Sequence, residues 1–201
     1  MANARTERQK DEKRERILRA AWALIRHYGY QKTTMDDIAR EAGVGKGTVY
    51  NYFGSKQEIM LALTDLTNRR ILEEVERIAS GSEPPLERLR RCVLHRLLTL
   101  FDLVQKYPHS QDVIASLLPA IVERLKTYVE RHGAILGRIV GQGCAGGAFA
   151  CEDPEATGRL LAELFEFMTP PYYRFKSKQE LEAFANRTLD LVLAGLKKRH
   201  G

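Results

Sequence analysis

The chain has 201 residues, 44% of them hydrophobic, with only seven Pro and fifteen Gly, so it has material for a packed core and lacks the composition of a disordered chain. No apolar run reaches the roughly 20 residues of a membrane span, and the N-terminus is charged rather than apolar, so no secretory signal is expected and the cytoplasm is the expected location. The net charge of +6 is uneven: residues 1–56 carry twelve Lys/Arg against seven Asp/Glu, net +5, and the rest carry +1, a distribution suited to holding a polyanion at the N-terminal end.

Residues 1–13 are charged and aperiodic, and Arg5, Arg8, Lys10 and Lys13 read either as an arm reaching DNA or as a frayed tail. The first helix is expected from about Asp11 to Tyr28. Ile17, Ala20, Ala21, Leu24, Ile25 and Tyr28 share one face, and Gly29 ends it. Thr34 and Asp37 then form a capping box for a short helix, with Ile38 and Ala42 inward and Gly43 as its left-handed stop. After Val44-Gly45 a second short helix of about seven residues begins. Helix, tight Gly-containing turn and helix make a helix-turn-helix pattern, whose second helix enters the major groove.

The second helix is composed for that task. Lys46 puts a cation at the tip, and Gly45 and Gly47 leave the backbone bare for close approach. Thr48 suits a base edge or a thymine methyl, and Tyr50 and Asn51 suit phosphates. Val49 and Phe53 form the inward stripe. Two glycines here cost roughly 1 kcal/mol each relative to Ala, so they serve something other than helix stability.

Further on, Ser55 to Glu58 reads as another capping box, opening a long helix to about Ser80, with Lys56 placed for a phosphate. Pro84-Pro85 opens an amphipathic helix over 86–106, closed by Pro108. A short helix over 110–118 and another from Pro119 through Val140 follow. His132 lies on the apolar face of the latter, as a core histidine with its hydrogen bonds satisfied. Gly141 to Gly146 has the spacing of a dinucleotide fingerprint, but it follows a helix rather than a strand, so it reads as a helix end and turn. Asp153-Pro154 starts the next helix, Pro170 to Tyr173 break it, and Ser177 to Glu180 cap the last, which ends in Lys197-Lys198-Arg199. With no period-two alternation, the fold class is all-α, of about nine helices. Cys92, Cys144 and Cys151 are expected as free thiols; Cys144 and Cys151 flank the Gly-rich turn, which leaves a redox pair as the less favoured alternative. No cofactor and no metal-ligand spacing is found.

The stretch 14–60 resembles the tetracycline-repressor (TetR) family of bacterial transcription regulators. The matching residues are Ile17-Leu18, Ala20-Ala21, Gly29-Tyr30, Thr33-Thr34, Asp37-Ile38-Ala39, Ala42-Gly43-Val44, Gly47-Thr48, Tyr50, Tyr52-Phe53 and Ser55-Lys56. Gly45 departs from the Ser usual there. Candidate DNA-binding residues are Thr34, Gly45, Lys46, Gly47, Thr48, Tyr50, Asn51, Tyr52 and Lys56. The expected domains are 1–55, binding DNA, and 56–201, a helical body for ligand binding and dimerisation.

A single helix-turn-helix offers few base contacts, so a homodimer on a palindromic operator of double-stranded DNA is expected. Its interface is placed on the last two helices, through Leu160, Leu164, Leu189, Leu193 and Leu196. The resemblance implies the same, as a four-helix contact. It also implies a pocket in the middle helices for a small-molecule effector that releases a repressor from DNA. The large apolar side chains there are Leu97, Phe101, Val104, Leu125, Tyr128, Phe165 and Met168, which point to a lipophilic or aromatic effector, and no inward cluster of cations points to a strongly anionic one. A helical enzyme or a ligand-independent DNA binder are the alternatives, but no nucleophile–base pair or di-iron spacing follows Glu163 and Glu166.

Overall fold

The periodic apolar stripes fold as helices throughout the computed structural model, which describes residues 2–106, 110–169 and 175–196, excepting the side chains of 2–6, 110–112, 114 and 115. Eight helices and no extended strand occur among the described residues: α1 (Ala2–Tyr28), α2 (Met35–Ala42), α3 (Lys46–Tyr52), α4 (Lys56–Ala79), α5 (Pro85–Lys106), α6 (Ser110–Ala145), α7 (Pro154–Glu166) and α8 (Lys178–Leu196). They fall into two units. One holds the described residues of 1–67 and 107–121, the other those of 68–106 and 122–201. α4 and α6 each contribute to both.

In the first unit Ile17, Ala21 and Ile25 of α1, Ile38 of α2, Val49 of α3 and Ile59 of α4 are buried together with Phe53. Each is the inward member of a helical stripe, and their burial removes the largest apolar surfaces from water. Arg14 lies over the Phe53 ring, 5.2 Å from its centroid. α1 begins earlier than its apolar pattern. Its charged first turns are helical from Ala2, with an Arg8–Glu12 pair spaced i, i+4. Tyr28, expected inward, is exposed, its ring edge-on to His27.

In the second unit one core collects Ile71, Val75, Leu89, Val93, Leu136, Ile139, Leu161, Leu181 and their neighbours. α6 and α7 cross at glycines: a Cβ on Gly158 would stand 2.2 Å from the Gly137 nitrogen, and one on Gly133 3.0 Å from Arg159 Cα. Side chains there would force the backbones apart, so Gly133, Gly137 and Gly158 set the crossing distance. Gly133 is therefore a contact point between α6 and α7. Two arginines are buried among the described residues of this unit. Arg88 donates to Ala79 O at 2.6 Å, Glu83 O at 2.8 Å and Gln142 Oε1 at 2.8 Å. Arg96 donates to Asn68 Oδ1 at 3.1 Å and Glu166 Oε2 at 2.9 Å.

The two helices expected over 110–118 and 119–140 are one, which is why eight rather than nine are found. Pro119 sits inside α6, its ring replacing an N–H that the helix forgoes without breaking. The same helix carries Gly141 and Gly143 and ends at Ala145, so the turn is confined to Gly146 and Gly147, the latter at φ 74°. The breaks assigned to Pro108 and to Pro170–Tyr173, and the cations Lys197, Lys198 and Arg199, lie outside the described residues.

Candidate nucleic-acid interface

The geometry of α2 and α3 follows from their caps. Thr34 Oγ1 accepts from the Asp37 N–H while the Asp37 carboxylate accepts from the Thr34 N–H, the reciprocal box read from the sequence. Those bonds from Thr34, hydroxyl first, hold the Asp37 carboxyl below the usual carboxylate range. Gly43 takes φ 62°, and Val44 N–H returns to Ala39 O at 3.0 Å. Arg16 of α1 caps the same end, donating to Ala42 O at 2.7 Å and Gly43 O at 3.2 Å. The turn is thus fixed from both sides, and α3 leaves it in one direction.

α3 starts at Gly45 with no side-chain cap. A Cβ there would come no nearer than 3.8 Å to Thr48 Oγ1, and one on Gly47 would meet nothing within 4 Å. Neither glycine is demanded by packing within the chain. Val49 is fully buried, which turns Lys46, Gly47, Tyr50 and Asn51 to solvent with Thr48 and Tyr52 half-buried beside them. The structure therefore brings seven of the nine candidates, Gly45 through Asn51 without Val49 and then Tyr52, onto one short exposed helix. Thr34 lies at the start of α2, its hydroxyl engaged with Asp37.

Two candidates have partners that the sequence does not show. Lys46 Nζ stands 2.8 Å from Asp36 Oδ1, which raises the lysine's pKa through that hydrogen bond. Lys56 is the other. Its ammonium donates to Tyr30 O at 2.5 Å and Thr33 O at 2.8 Å, over the Tyr30 ring, and desolvation lowers its pKa. These bonds brace the loop between α1 and α2 against the start of α4, with the Lys56 side chain half-buried. Ser55 accepts from Glu58 N–H as expected, but Glu58 reaches back to Gly54 N–H, one residue beyond the expected box. Ser177 and Glu180 repeat that pattern with Lys176.

In the second unit the expected pocket set is dispersed. Leu97, Phe101, Tyr128, Phe165 and Met168 are core, and Val104 is half-buried. Of the set, Leu125 lines a groove of about 390 Å³ between α6 and α7, with Val122, Val129, Phe167, Lys126, Glu130, Glu163 and Glu166. Apolar spacing marks inward positions but cannot separate filled space from empty space. The expected dimer residues divide likewise. Leu160 is 65% exposed and Leu164 40%, with Phe167 at 70% continuing their face of α7 and Leu191 at 78% on α8. Leu189 and Leu193 are buried in their own chain and have no surface for a partner; Leu196 is half-buried. His132 is buried as expected, but its Nε2 has no hydrogen-bond partner among the described residues, and desolvation lowers its pKa to about 3. Arg88 and Arg96 were legible only as surface charges, since hydropathy places arginine outside.

A short exposed helix, carried on a fixed turn by an all-helical body, defines a helix-turn-helix DNA-binding protein. Residues 17–63 match the family described as bacterial regulatory proteins, tetR family, and residues 85–187 match the tetracyclin repressor-like C-terminal domain. The second match covers more than half of the chain, and the chain belongs to this family of transcription regulators. Its relatives bear regulator names, which sets the enzyme alternative aside. It is 39% identical over 87 residues to the HTH-type transcriptional regulator HbdR of Aromatoleum sp., a match spanning 41% of this chain and only 36% of that protein. It is 26% identical over 202 residues to the fatty acid metabolism regulator protein of Bacillus subtilis, spanning 96% of this chain and all of that one. Among solved structures, Thermus thermophilus FadR in complex with lauroyl-CoA aligns with TM-score 0.66 and 26% identity over 94% of this chain and 97% of that one. A TetR-family regulator from Pectobacterium atrosepticum aligns with TM-score 0.73 at 20% identity, over 95% and 97%, and shows the fold alone. No helix among the described residues is long and apolar enough to cross a membrane.

Proposed function

We propose that the chain is a cytoplasmic homodimeric repressor that holds a palindromic operator through α3 and releases it when a lipophilic effector occupies the C-terminal body. In this reading residues 1–55 bind DNA and 56–201 carry the effector site and the dimer contact. The observation that carries it is the outward face of α3: Lys46, Gly47, Tyr50 and Asn51 are exposed with Thr48 half-buried among them, while Val49 behind them anchors the helix. A bare backbone flanked by short polar side chains is what close approach to base edges requires. The exposed row Leu160, Leu164 and Phe167 supports the dimer, because a monomer gains nothing by leaving that much apolar surface in water. The apolar part of the α6–α7 groove supports a lipophilic effector, in line with the acyl-CoA held by the Thermus relative.

The test is a gel shift on the DNA upstream of the protein's own gene across a salt series, with and without lauroyl-CoA. Specific binding that falls steeply with salt, and weakens with lauroyl-CoA, is expected. Binding that ignores sequence would overturn the operator reading, and operator binding untouched by any lipophilic probe would leave a ligand-independent regulator.

A further inference from the structure

We propose that Cys144 and Cys151 form a reversible intramolecular disulfide, an oxidative modification site at the junction of α6 and α7. The two thiols are free, and their sulfurs lie 3.0 Å apart, both half-buried and open in part to solvent. The path of the backbone brings them together. Gly143 is buried under the Phe149 ring, where a Cβ would stand 2.1 Å from Cδ2, so the chain doubles back tightly over the end of α6. Gly147 supplies the positive φ of the reversal, and Ala148 N–H and Phe149 N–H both return to Gly143 O, at 2.8 and 3.2 Å. The doubled-back segment then sets Cys151 beside Cys144.

The surroundings favour exchange by proximity. Burial and the neighbouring Cys144 thiol raise the Cys151 pKa, with Asp153 acting in the same direction and the Thr157 hydroxyl against it. A fast peroxide sensor needs a stabilised thiolate; this pair instead gains from having its second sulfur already in place. In the reaction one cysteine, as thiolate, attacks a sulfur of a small-molecule disulfide and expels one thiolate. The other cysteine then attacks the mixed disulfide on its protein sulfur and expels the second. Two protein thiols lose two protons and two electrons, and the small disulfide leaves as two thiols. Cys92 takes no part: it is fully buried, and burial pushes its pKa up to about 12. The bond would tie the last turn of α6 to the lead-in of α7, and through the Ala150 N–H to Leu196 O bond of 2.7 Å, to the end of α8.

The experiment treats the reduced full-length protein with oxidised glutathione, then unfolds it, alkylates it and measures the intact mass and its peptides. The expected product lacks two hydrogens, takes one alkyl group, on Cys92, and yields a peptide cross-linked between Cys144 and Cys151; dithiothreitol restores three alkylations. C92S gives the same cross-link. C144S and C151S give none and retain one glutathione adduct. Three alkylations after glutathione treatment of the native chain would reduce the contact to a thiol–thiol hydrogen bond and overturn the proposal. So would a cross-link found only between two chains.

Discussion

Lys46 of α3 is ion-paired with Asp36 of α2, its Nζ 2.8 Å from Oδ1. The cation at the tip of the recognition helix is thus oriented by the first turn of the helix before it. In the proposed docking Lys46 would exchange this carboxylate for a phosphate or a base. Asp36→Asn is expected to raise operator affinity several-fold at low salt, with the gain shrinking as salt rises, and Lys46→Ala to weaken specific binding more than non-specific binding. A gel shift at two salt concentrations on operator and scrambled DNA reads both. Unchanged affinity for Asp36→Asn would place Lys46 outside the contact.

Lys56 behaves differently. Because its ammonium is spent on Tyr30 O and Thr33 O, Lys56→Met is expected to lower stability by about 1–3 kcal/mol. The affinity of the folded protein for DNA should stay within about twofold, less than the loss of a phosphate contact would bring. Urea unfolding and a gel shift separate the two; lost affinity at full stability would return Lys56 to the DNA.

His132 has a pH signature. Its folded pKa, about 3, lies below the ordinary value of 6.5, so between these values the unfolded chain holds a proton that the folded chain lacks. Stability is therefore lost as pH falls below 6.5, at about 1.4 kcal/mol per pH unit for one such group. Half-buried His95, also lowered by desolvation, adds in the same direction. Denaturant midpoints between pH 6.5 and 5, where carboxylates remain charged, should fall in the parent protein. They should fall less in His132→Leu, which also removes the unpartnered Nε2.

The α6–α7 crossing gives a paired test. Gly158→Ala puts a methyl against the Gly137 backbone, and overpacking of this kind costs about 1–3 kcal/mol or more. Gly195→Ala, in α8 with nothing within 4 Å, removes only a helix-propensity cost of about 1 kcal/mol. The Tm should drop by several degrees for the first and rise by about 2–4 °C for the second. Equal effects would mean that the crossing relaxes.

The proposed dimer face is tested by contrast as well. Leu160→Arg is expected to yield a folded monomer by sedimentation. Leu193→Arg, which buries an unpaired charge in the core, should yield an unfolded chain. An intact Leu160→Arg dimer would move the interface off α7.

Sequence disclosed the parts of this molecule whose physics is local. The Thr34–Asp37 box, the left-handed stop at Gly43, the Asp153 cap, whose carboxylate accepts from Ala156 N–H at 2.8 Å, and the buried Val49 all follow from residues within one or two turns of each other. What stayed hidden depends on partners far along the chain. Arg96 is buried only because Asn68 and Glu166 supply acceptors. Lys56 is half-buried where two loop carbonyls converge on it. Leu160 and Leu189 are the same residue type at helical spacing, yet only the packing of α7 and α8 decides which one faces water. Pro119 was read as a beginning because proline favours a first turn, but α6 continues through it.

Arg88 joins three segments through one planar group: the last carbonyl of α4, the corner before α5 and a side chain of α6. A guanidinium has rigid donor directions, so these segments cannot drift apart by small independent adjustments without losing charge-assisted bonds of roughly 1.5–3 kcal/mol each. That corner is a clamped elbow. A push on α6 near Gln142 is handed directly to the end of α4, and a lysine, with its single swivelling nitrogen, would let the elbow slip.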